Sequence, residues 1–262
     1  MYSVADLTAH LRELGVREGE ILLVQSSTKA IGAVEGGSAA IVAALREVLG
    51  PDGTLVVYTA TPENSDTSPL AAMLTDGLTP EKLRAHRATM PPFDLARTPA
   101  STEMGRISEE VRTTRGAVRS AHPQTSFTAL GPRAEELMAG HRLTCHLGEG
   151  SPTRRLYQAG ARALLVGVPI WCCTAFHLAE YRQPDVPAMR YGCVVRDERG
   201  LRQWVHFEAA RLEIRHFVPM GEALRERLGG LVTGRLGNAE CFLLPVREGV
   251  DLATEWLLGQ PR

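Results

Sequence analysis

The stretch ILLVQSSTKAIGAVEGGSAAIVAALREVLGPDGTLVVY, residues 21–58, decides the fold. It starts with a short apolar run at residues 21–24 and ends with a second one at residues 54–58. Between them, a polar loop leads into a helical pattern at residues 39–49, which Gly50 and Pro51 end. This order predicts a βαβ unit. Because both strands are apolar along their whole length, we expect helices on both faces of the sheet.

The rest of the chain extends this α/β pattern. Residues 59–100 differ, because they are rich in Pro, Ser, Thr and Asp and predict a long polar insertion. So long a connection usually forms a lid or a binding loop. We expect a single domain over residues 1–262 that contains this insertion. The spacing predicts further helices at 4–14, 80–86, 103–112, 132–140, 151–159, 174–181, 221–228 and 251–258, strands at 163–168 and 241–244, and a hairpin at 191–197 and 201–207.

Composition narrows the function classes. The 262 residues are 44% hydrophobic and 23% charged, with a net charge of -1, which is typical of a soluble globular protein. A duplex-binding protein needs a basic face, so we expect no nucleic-acid partner. No segment has the roughly 18 consecutive apolar residues of a membrane span, and the N-terminus lacks the pattern of a signal peptide. The five scattered cysteines predict reduced thiols and a cytoplasmic protein.

The polar loop after the first strand is one candidate binding site. It offers hydroxyls at Ser26, Ser27 and Thr28, a cation at Lys29, and glycines at positions 36 and 37. Ligands of open α/β sheets bind beyond the carboxyl ends of the strands, and helix N-termini bind anions. A phosphate or pyrophosphate site is therefore one interpretation. A polar turn with an N-terminal cap is the other, since neither G-x-x-x-x-G-K-[ST] nor G-x-G-x-x-G is present.

Two later segments carry histidines. The sequence RSAHPQTSF, residues 119–127, gathers Arg, Ser and His in a loop, and TAFHLAE, residues 174–180, predicts a helix. On that helix His177 and Glu180 share one face, and a carboxylate beside an imidazole raises its basicity as a general base requires. A surface turn and a surface ion pair are the alternatives. The pattern C-C-x3-H matches no familiar zinc spacing, so we expect no metal, whereas a nucleophilic Cys173 stays open.

Four acidic residues form the last candidate group. Glu63, Asp66 and Asp94 lie in the polar insertion, and Glu208 ends the second hairpin strand. Carboxylates gathered around one cavity suit a cationic or amine substrate. The alternative is a set of scattered, solvated acids.

Six sequence motifs, in this order along the chain, resemble the aminoglycoside 3-N-acetyltransferase family. The family pattern V-H-S-S-L-x-x-[LI]-G-x-V-x-G-G is matched at residues 24–37. The others are G-P-D-G-T-L-V at 50–56, F-D-x-x-x-[ST]-P at 93–99, M-G-x-[IL] at 104–107, R-S-x-H-P-x-x-S-F at 119–127, and L-L-G-V followed by N-T-[ST]-x-H-x-A-E at 165–168 and 173–180. The resemblance covers almost the whole chain.

The resemblance implies an acetyl-CoA-dependent N-acetyltransferase. The expected fold is a three-layer α/β domain with a central mixed sheet flanked by helices, distinct from the GNAT acetyltransferases. His177 corresponds to the general base, Glu208 or Glu180 to the residue that orients it, and Tyr58 lies where some members place a tyrosine near the reacting groups. The resemblance and the loop chemistry together predict coenzyme contacts at Ser26, Ser27, Thr28, Lys29, Val34, Gly36, Gly37, Ser120, Ser126 and Phe127.

The expected reaction is a direct attack of an amine on the thioester. An alkylammonium has a pKa of about 10, so a base must remove a proton. Backbone N–H groups of the loop at 26–29 or the Thr174 hydroxyl are candidate donors to the oxyanion. Glu63, Asp66 and Asp94 are the expected contacts of the amine substrate.

The chain departs from the family pattern at several positions. Gln25 replaces histidine, Cys173 replaces asparagine, and Ala175 replaces Ser or Thr. These changes cluster on the presumed acceptor side. An aminoglycoside amine is the expected acceptor. A different amine in natural-product biosynthesis or self-resistance, and a non-catalytic coenzyme A binder, stay open, as does a homodimer.

Overall fold

The computed structural model of the protein describes residues 1–68, 71 and 75–260. Within them, seven strands form a mixed sheet in the order β3-β4-β2-β1-β5-β9-β8, and β6 and β7 form a separate two-stranded sheet. The strands are β1 (Ile21–Ser26), β2 (Thr54–Tyr58), β3 (Val118–Arg119), β4 (Phe127–Leu130), β5 (Arg162–Val166), β6 (Ala188–Arg196), β7 (Arg202–Ala210), β8 (Val232–Leu236) and β9 (Ala239–Pro245).

Helices cover both faces of the seven-stranded sheet, which confirms the predicted three-layer α/β fold. One core lies under α1, α3 and α5, and the other lies under α6 to α10. No helix in the described part of the chain is long and apolar enough to cross a membrane. The helices are α1 (Val4–Glu13), α2 (Thr28–Ile31), α3 (Gly37–Leu49), α4 (Pro80–Thr89), α5 (Arg106–Thr113), α6 (Ala134–Met138), α7 (Pro152–Gln158), α8 (His177–Tyr181), α9 (Phe217–Arg227) and α10 (Val246–Leu258).

The predicted βαβ unit is present. Strand β1 runs parallel to β2, with Leu22 opposite Leu55, and also parallel to β5. Successive β1 side chains alternate between the two cores, because Leu22 packs in one and Leu23 in the other, and neither is exposed. Burial on both faces explains the continuous apolar runs in the sequence.

The polar insertion joins the main sheet to the β6–β7 sheet. The Thr61 backbone N–H donates to the carbonyl of Gln124, in the loop between β3 and β4. On the other side, the Asn64 side chain exchanges two hydrogen bonds with the backbone of Val194 in β6, at 3.0 and 3.2 Å. The Phe93 N–H also donates to the Val194 carbonyl. Within its described residues, the insertion therefore lies between the two sheets; residues 69, 70 and 72–74 of the predicted insertion are outside the described part of the chain.

Several elements differ from the sequence predictions. The helix predicted at 103–112 is broken at Gly105, whose φ is 80°; a 3-10 turn (Thr102–Met104) precedes the break and α5 follows it. A Cβ at Gly105 would lie 3.2 Å from the Ser26 carbonyl oxygen, so this segment packs closely on the end of β1. Strands β3, β4 and β8 were not predicted. They are short or lie at the edge of the sheet, where the hydrophobic pattern is weak.

Candidate active site

Two cavities meet at the carboxyl ends of β1 and β2. The first, of about 610 Å³, lies between the end of β1, the loop after β5 and the start of α9. The second, of about 420 Å³, lies between the polar insertion, the β3–β4 loop and the β6–β7 sheet. We call them the strand-end cavity and the insertion cavity. They share five lining residues, which are Tyr58, Glu103, Met104, His177 and Ile214.

His177 and Glu180 form a hydrogen-bonded pair at this junction. They lie three residues apart on α8, and His177 Nδ1 is bonded to Glu180 Oε2. The other carboxylate oxygen accepts from the backbone N–H of Glu213 at 2.7 Å. An ionised carboxylate only accepts, so Nδ1 carries the proton and Nε2 presents a lone pair. Nε2 has no hydrogen-bond partner among the described residues.

The pair is sheltered but not sealed. The side chains of His177 and Glu180 are 15% and 12% exposed. The Phe217 ring lies against the imidazole, with 4.4 Å between the ring centroids. Shielding from water strengthens the hydrogen bond between the ring and the carboxylate. The arrangement fixes the tautomer that a general base needs.

The structure places Glu180, and not Glu208, beside His177. Glu208 lies in β7 opposite Arg190 and is exposed. Its neighbours Phe207 and Ala209 are buried, and since strand side chains alternate, Glu208 points away from that core. The prediction that Glu208 orients the histidine is therefore corrected in favour of the alternative residue, Glu180.

Gln25 holds the turn that leads into α8. Its Nε2 donates to the Thr174 hydroxyl at 2.8 Å and to the Cys172 carbonyl at 2.7 Å. Its Oε1 accepts from the Thr174 N–H at 2.8 Å. The residue that departs from the family's histidine thus positions Thr174. That side chain is 6% exposed and lines the strand-end cavity beside His177.

The two adjacent cysteines lack the lowered thiol pKa of a catalytic nucleophile. Cys173 is fully buried, and burial raises the pKa of its thiol to about 12. Cys172 lines the strand-end cavity, but burial raises the pKa of its thiol as well. A catalytic cysteine needs a lowered pKa to be a thiolate at neutral pH. The geometry thus disfavours the cysteine-nucleophile interpretation.

The predicted coenzyme loop is only partly brought to the cavities. Ser26 lines the strand-end cavity, and Ser27, Thr28 and Lys29 continue from it into α2. Lys29 is exposed and forms no ion pair within the described residues. Val34, Gly36 and Gly37 lie further along, at the start of α3, where both glycines have positive φ.

The second predicted coenzyme loop has a different role. Ser120 is buried; its hydroxyl accepts from the Phe127 N–H at 2.9 Å and donates to His141 Nδ1 at 2.9 Å. Ser126 is buried too, and it accepts from Arg119 Nε and donates to the Thr59 carbonyl. Phe127 is fully buried in the core. The structure does not support the prediction that the side chains of Ser120, Ser126 and Phe127 contact a coenzyme.

Three buried histidines pack behind the insertion cavity. His122 lies between His141 and His146, with ring centroids 4.8 and 4.6 Å apart. Burial lowers the pKa of His141 to about 4, of His146 to about 3, and of His122 well below its usual range. The planes of the two ring pairs are inclined by 39° and 47°, and the lowered pKa values favour neutral imidazoles at neutral pH. Within the described residues, no three His, Cys, Asp or Glu side chains are arranged to hold a metal ion.

The acids predicted to bind the amine lie elsewhere. Glu63 accepts from the Ser101 hydroxyl at 2.5 Å, and Asp66 is ion-paired with Arg87 and only 4% exposed. Asp94 accepts two backbone N–H groups of its own turn, which lowers the pKa of its carboxyl. None of the three lines either cavity.

Glu103, predicted only as part of a helix, is the carboxylate at the junction of the two cavities. It lines both cavities, as does Tyr58, the predicted tyrosine. Its position follows from the break at Gly105, which turns the chain just after it. The M-G-x-[IL] motif begins one residue later, so the motif marked this segment without marking Glu103 itself.

Comparison with known proteins relates this fold and site to one protein family. The model of the aminoglycoside 3-N-acetyltransferase family matches residues 23–258. A Salmonella aminoglycoside N(3)-acetyltransferase III is 41% identical over 191 residues, which cover 73% of this chain and 64% of that protein. The chain thus matches less than two-thirds of that relative's length.

Solved structures agree with the family match over the full fold. The crystal structure of YokD protein from Bacillus subtilis superposes with a TM-score of 0.91 at 32% identity, over 99% of this chain and 100% of the other. A structure described as AAC-IIIb binary with CoASH gives a TM-score of 0.84 at 29% identity, over 100% and 99%. The chain belongs to the aminoglycoside 3-N-acetyltransferase family.

Proposed function

We propose that the protein transfers an acetyl group from acetyl-CoA to an amine, with His177 as general base. The observation that carries this proposal is the meeting of two cavities at one histidine whose Nδ1 is held by a carboxylate. A transferase that joins two substrates directly needs two binding spaces and one base between them. Family membership supports acetyl-CoA as the acetyl donor.

The strand-end cavity suits the coenzyme. It opens beside three exposed apolar side chains, Trp171, Ile214 and Val218, and its floor is formed by Gln25 and Ser26. In α/β sheets this edge is the usual ligand site. The neighbour with CoASH bound supports coenzyme A as the ligand of this fold. Ser27 and the first two residues of α2, Thr28 and the exposed Lys29, adjoin the same strand end and are the proposed contacts for the coenzyme's phosphates.

The chemistry follows from the His177 pair. The acceptor ammonium first loses one proton to the solvent, because only the neutral amine is a nucleophile. Nε2 of His177 then accepts a second proton as the amine nitrogen bonds to the thioester carbonyl carbon. The Thr174 hydroxyl, which accepts from Gln25, keeps its own proton for the developing oxyanion. The imidazolium, paired with the Glu180 carboxylate, then returns the proton to the departing thiolate. No bond to the enzyme forms, in keeping with the buried, protonated Cys173.

Relatives' names make an aminoglycoside the first acceptor to test. An amine of another class is the alternative. A non-catalytic coenzyme A binder is less favoured, because the His177–Glu180 pair and the second cavity have no use in it.

Thiol release from acetyl-CoA, measured with both simple amines and aminoglycosides, tests the proposal. We expect His177→Ala to lower turnover by roughly 10²–10⁴-fold, the usual contribution of a general base, without weakening coenzyme A binding. His206→Ala is the matched control, because His206 is exposed on β7 and lines neither cavity. Near-normal turnover of His177→Ala would remove His177 from this role.

A further inference from the structure

The insertion cavity has a polar side as well as an apolar one. Its polar lining consists of Ser65, Thr67, Ser68, Gln124, Thr125 and His146. Some of the hydroxyl groups in this set already have partners: Ser65 and Thr67 share a hydrogen bond of 2.9 Å, and Ser68 donates to the Pro62 carbonyl at 2.8 Å. Gln124 and His146 differ, because each holds a buried side-chain atom that has no hydrogen-bond partner among the described residues.

Gln124 is fixed in the β3–β4 loop, and only 4% of it is exposed. Its backbone N–H donates to His122 Nδ1 at 3.1 Å, and its carbonyl accepts from the Thr61 N–H at 2.8 Å. The side-chain NH2 group donates to the Gly192 carbonyl at 3.3 Å. Because a carbonyl can only accept, this bond fixes the orientation of the amide, and Oε1 is the atom left without a partner. That oxygen needs an N–H or O–H donor.

His146 is also held by its neighbours. Its ring packs between those of His122 and Tyr191, with 4.6 and 4.4 Å between the ring centroids, and its backbone N–H donates to the Tyr181 hydroxyl at 3.0 Å. Nδ1 lies 3.4 Å from the Thr125 hydroxyl oxygen, whereas Nε2 is buried without a partner. Burial lowers the pKa of the ring to about 3, so it is neutral at neutral pH. A hydroxyl group can bond to Nε2 in either tautomer, because it both donates and accepts.

The charged residues of this cavity discriminate only weakly between ligands. Glu103 and Arg211 line it, and both are exposed. Arg211 is ion-paired with Glu213 at 3.6 Å, and Glu213 also pairs with Arg215 at 2.7 Å. Glu103 can attract an ammonium group, but water and salt screen such exposed charges. Selection among amines therefore depends more on the buried polar atoms of the lining.

Two unpartnered polar atoms in the lining of one cavity indicate a ligand with hydrogen-bonding groups of its own. Buried polar groups in folded proteins are almost always hydrogen-bonded, and leaving one unpaired is costly. A ligand with a purely apolar body would cover Gln124 Oε1 and His146 Nε2 without bonding to either. A hydroxyl group or a second amine on that body supplies the missing partner. His177 lines the same cavity, so a molecule bound here lies beside the proposed general base.

We propose that Gln124 and His146 determine the specificity for the acceptor by hydrogen-bonding a hydroxyl group or a second amine on its body. This inference rests on the proposed transferase function. Glu103 attracts the ammonium group and His177 takes the proton, whereas Gln124 and His146 hold the rest of the molecule. An amino alcohol is then a better acceptor than the same amine without its hydroxyl group.

Thiol release and calorimetry with a matched pair of amines test this inference. The pair is trans-4-aminocyclohexanol and cyclohexylamine, which have the same ring and differ by one hydroxyl group. For the wild type we expect kcat/KM for the amino alcohol to be about 10-fold higher, with the same order in Kd measured by calorimetry with coenzyme A present. Equal kcat/KM and equal Kd for the two amines would overturn the inference and leave the transferase proposal standing. Binding in the expected order without thiol release from any amine would instead overturn the transferase proposal.

Two variants test the residues themselves. Gln124→Met and His146→Phe remove the unpartnered atoms and keep side chains of similar size. In each variant the ratio of the two kcat/KM values should fall to about 1–3, and Kd for sisomicin, a larger polar amine, should rise about 10-fold. Kd for coenzyme A should stay within about twofold. Gln203→Met and His206→Phe are the matched controls, because both residues are exposed on β7 and line neither cavity.

The ratio separates recognition from a structural role. A variant that only disturbs the fold lowers kcat/KM for both amines equally and leaves their ratio unchanged. An unchanged ratio in both variants would therefore overturn the inference, as would an unchanged Kd for sisomicin if neither small amine binds to the wild type. If His146→Phe does not fold, as judged by its Tm, the result for Gln124→Met decides alone.

Discussion

Replacing Glu180 with Gln tests the arrangement on which the chemistry depends. In the structure the Glu180 carboxylate accepts two hydrogen bonds, from His177 Nδ1 and from the Glu213 N–H. A glutamine of the same shape can keep the bond from Glu213 through its amide oxygen. Its NH2 group then faces Nδ1, which must become an acceptor. The imidazole proton moves to Nε2, and the lone pair that takes the amine proton is lost.

The size of the effect follows from these contacts. A hydrogen bond to a charged group contributes about 1.5–3 kcal/mol, and each 1.4 kcal/mol is a factor of ten. Loss of the Glu180 charge alone should lower kcat by about 10–100-fold, and the wrong tautomer of His177 should lower kcat further. Because Glu180 lines neither cavity, KM for both substrates should stay within about threefold. The retained bond from Glu213 should keep the change in Tm within a few degrees.

Steady-state thiol release, with each substrate varied in turn, separates kcat from KM. Glu208→Gln is the control, because Glu208 was the other predicted orienting residue and lies exposed on β7. It should match the wild type. Loss of kcat in Glu208→Gln comparable with that of Glu180→Gln, or a Glu180→Gln enzyme within twofold of wild type, would refute the reasoning. A parallel rise in KM and fall in Tm would show that Glu180 acts on folding instead.

Three other variants probe the surroundings of the pair. Cys173→Ala should keep kcat within about threefold, because burial raises the pKa of the Cys173 thiol to about 12. If this variant no longer released coenzyme A from acetyl-CoA, Cys173 would be the nucleophile after all. Gln25→Ala removes three hydrogen bonds from the turn before α8. We therefore expect the free energy of unfolding, measured in urea, to fall by about 1–3 kcal/mol, and kcat to fall as well. An unchanged kcat would show that catalysis does not depend on these bonds. Burial lowers the pKa of His141 to about 4 and of His146 to about 3, so below pH 6.5 only the unfolded chain gains these protons. The free energy of unfolding should then fall by about 1.4 kcal/mol per pH unit per histidine between pH 6.5 and about 4, and equal slopes for wild type and His146→Asn would contradict this.

The central part of the fold was predictable because its signals are local. The apolar runs at β1 and β2 and the helix between them have the spacing of a βαβ unit, and the structure has it. The predicted first helix is also present as α1, and a capping box between Ser3 and Asp6 begins it. The order of the remaining strands was not predictable, because the sheet pairs β5 with β1 and with β9 across long stretches of chain. Pairing at such distance depends on tertiary packing, which no short pattern records.

Only those contacts of the site that lie within one helix could be predicted from the sequence. His177 and Glu180 are three residues apart on a helix, so their contact follows from helix geometry. The contact of Gln25 with Thr174 joins residues 149 positions apart and appeared in the sequence only as a departure from the family motif. Ser120 and Ser126 show the reverse case. Their motif was clear, but their hydroxyls are used inside the β3–β4 loop.

The acids of the insertion show why charge near a site is hard to infer from a count of residues. Asp66 was predicted to bind the substrate, but its carboxylate is ion-paired with Arg87 on α4. Glu103 lies outside the acidic stretch, and the turn at Gly105 brings it to the junction of the cavities. A carboxylate binds substrate only if the fold leaves it unpaired and exposed to the cavity, and Glu103 satisfies both conditions within the described residues. The number of acidic residues in the insertion is therefore a poor measure of the charge available to a substrate.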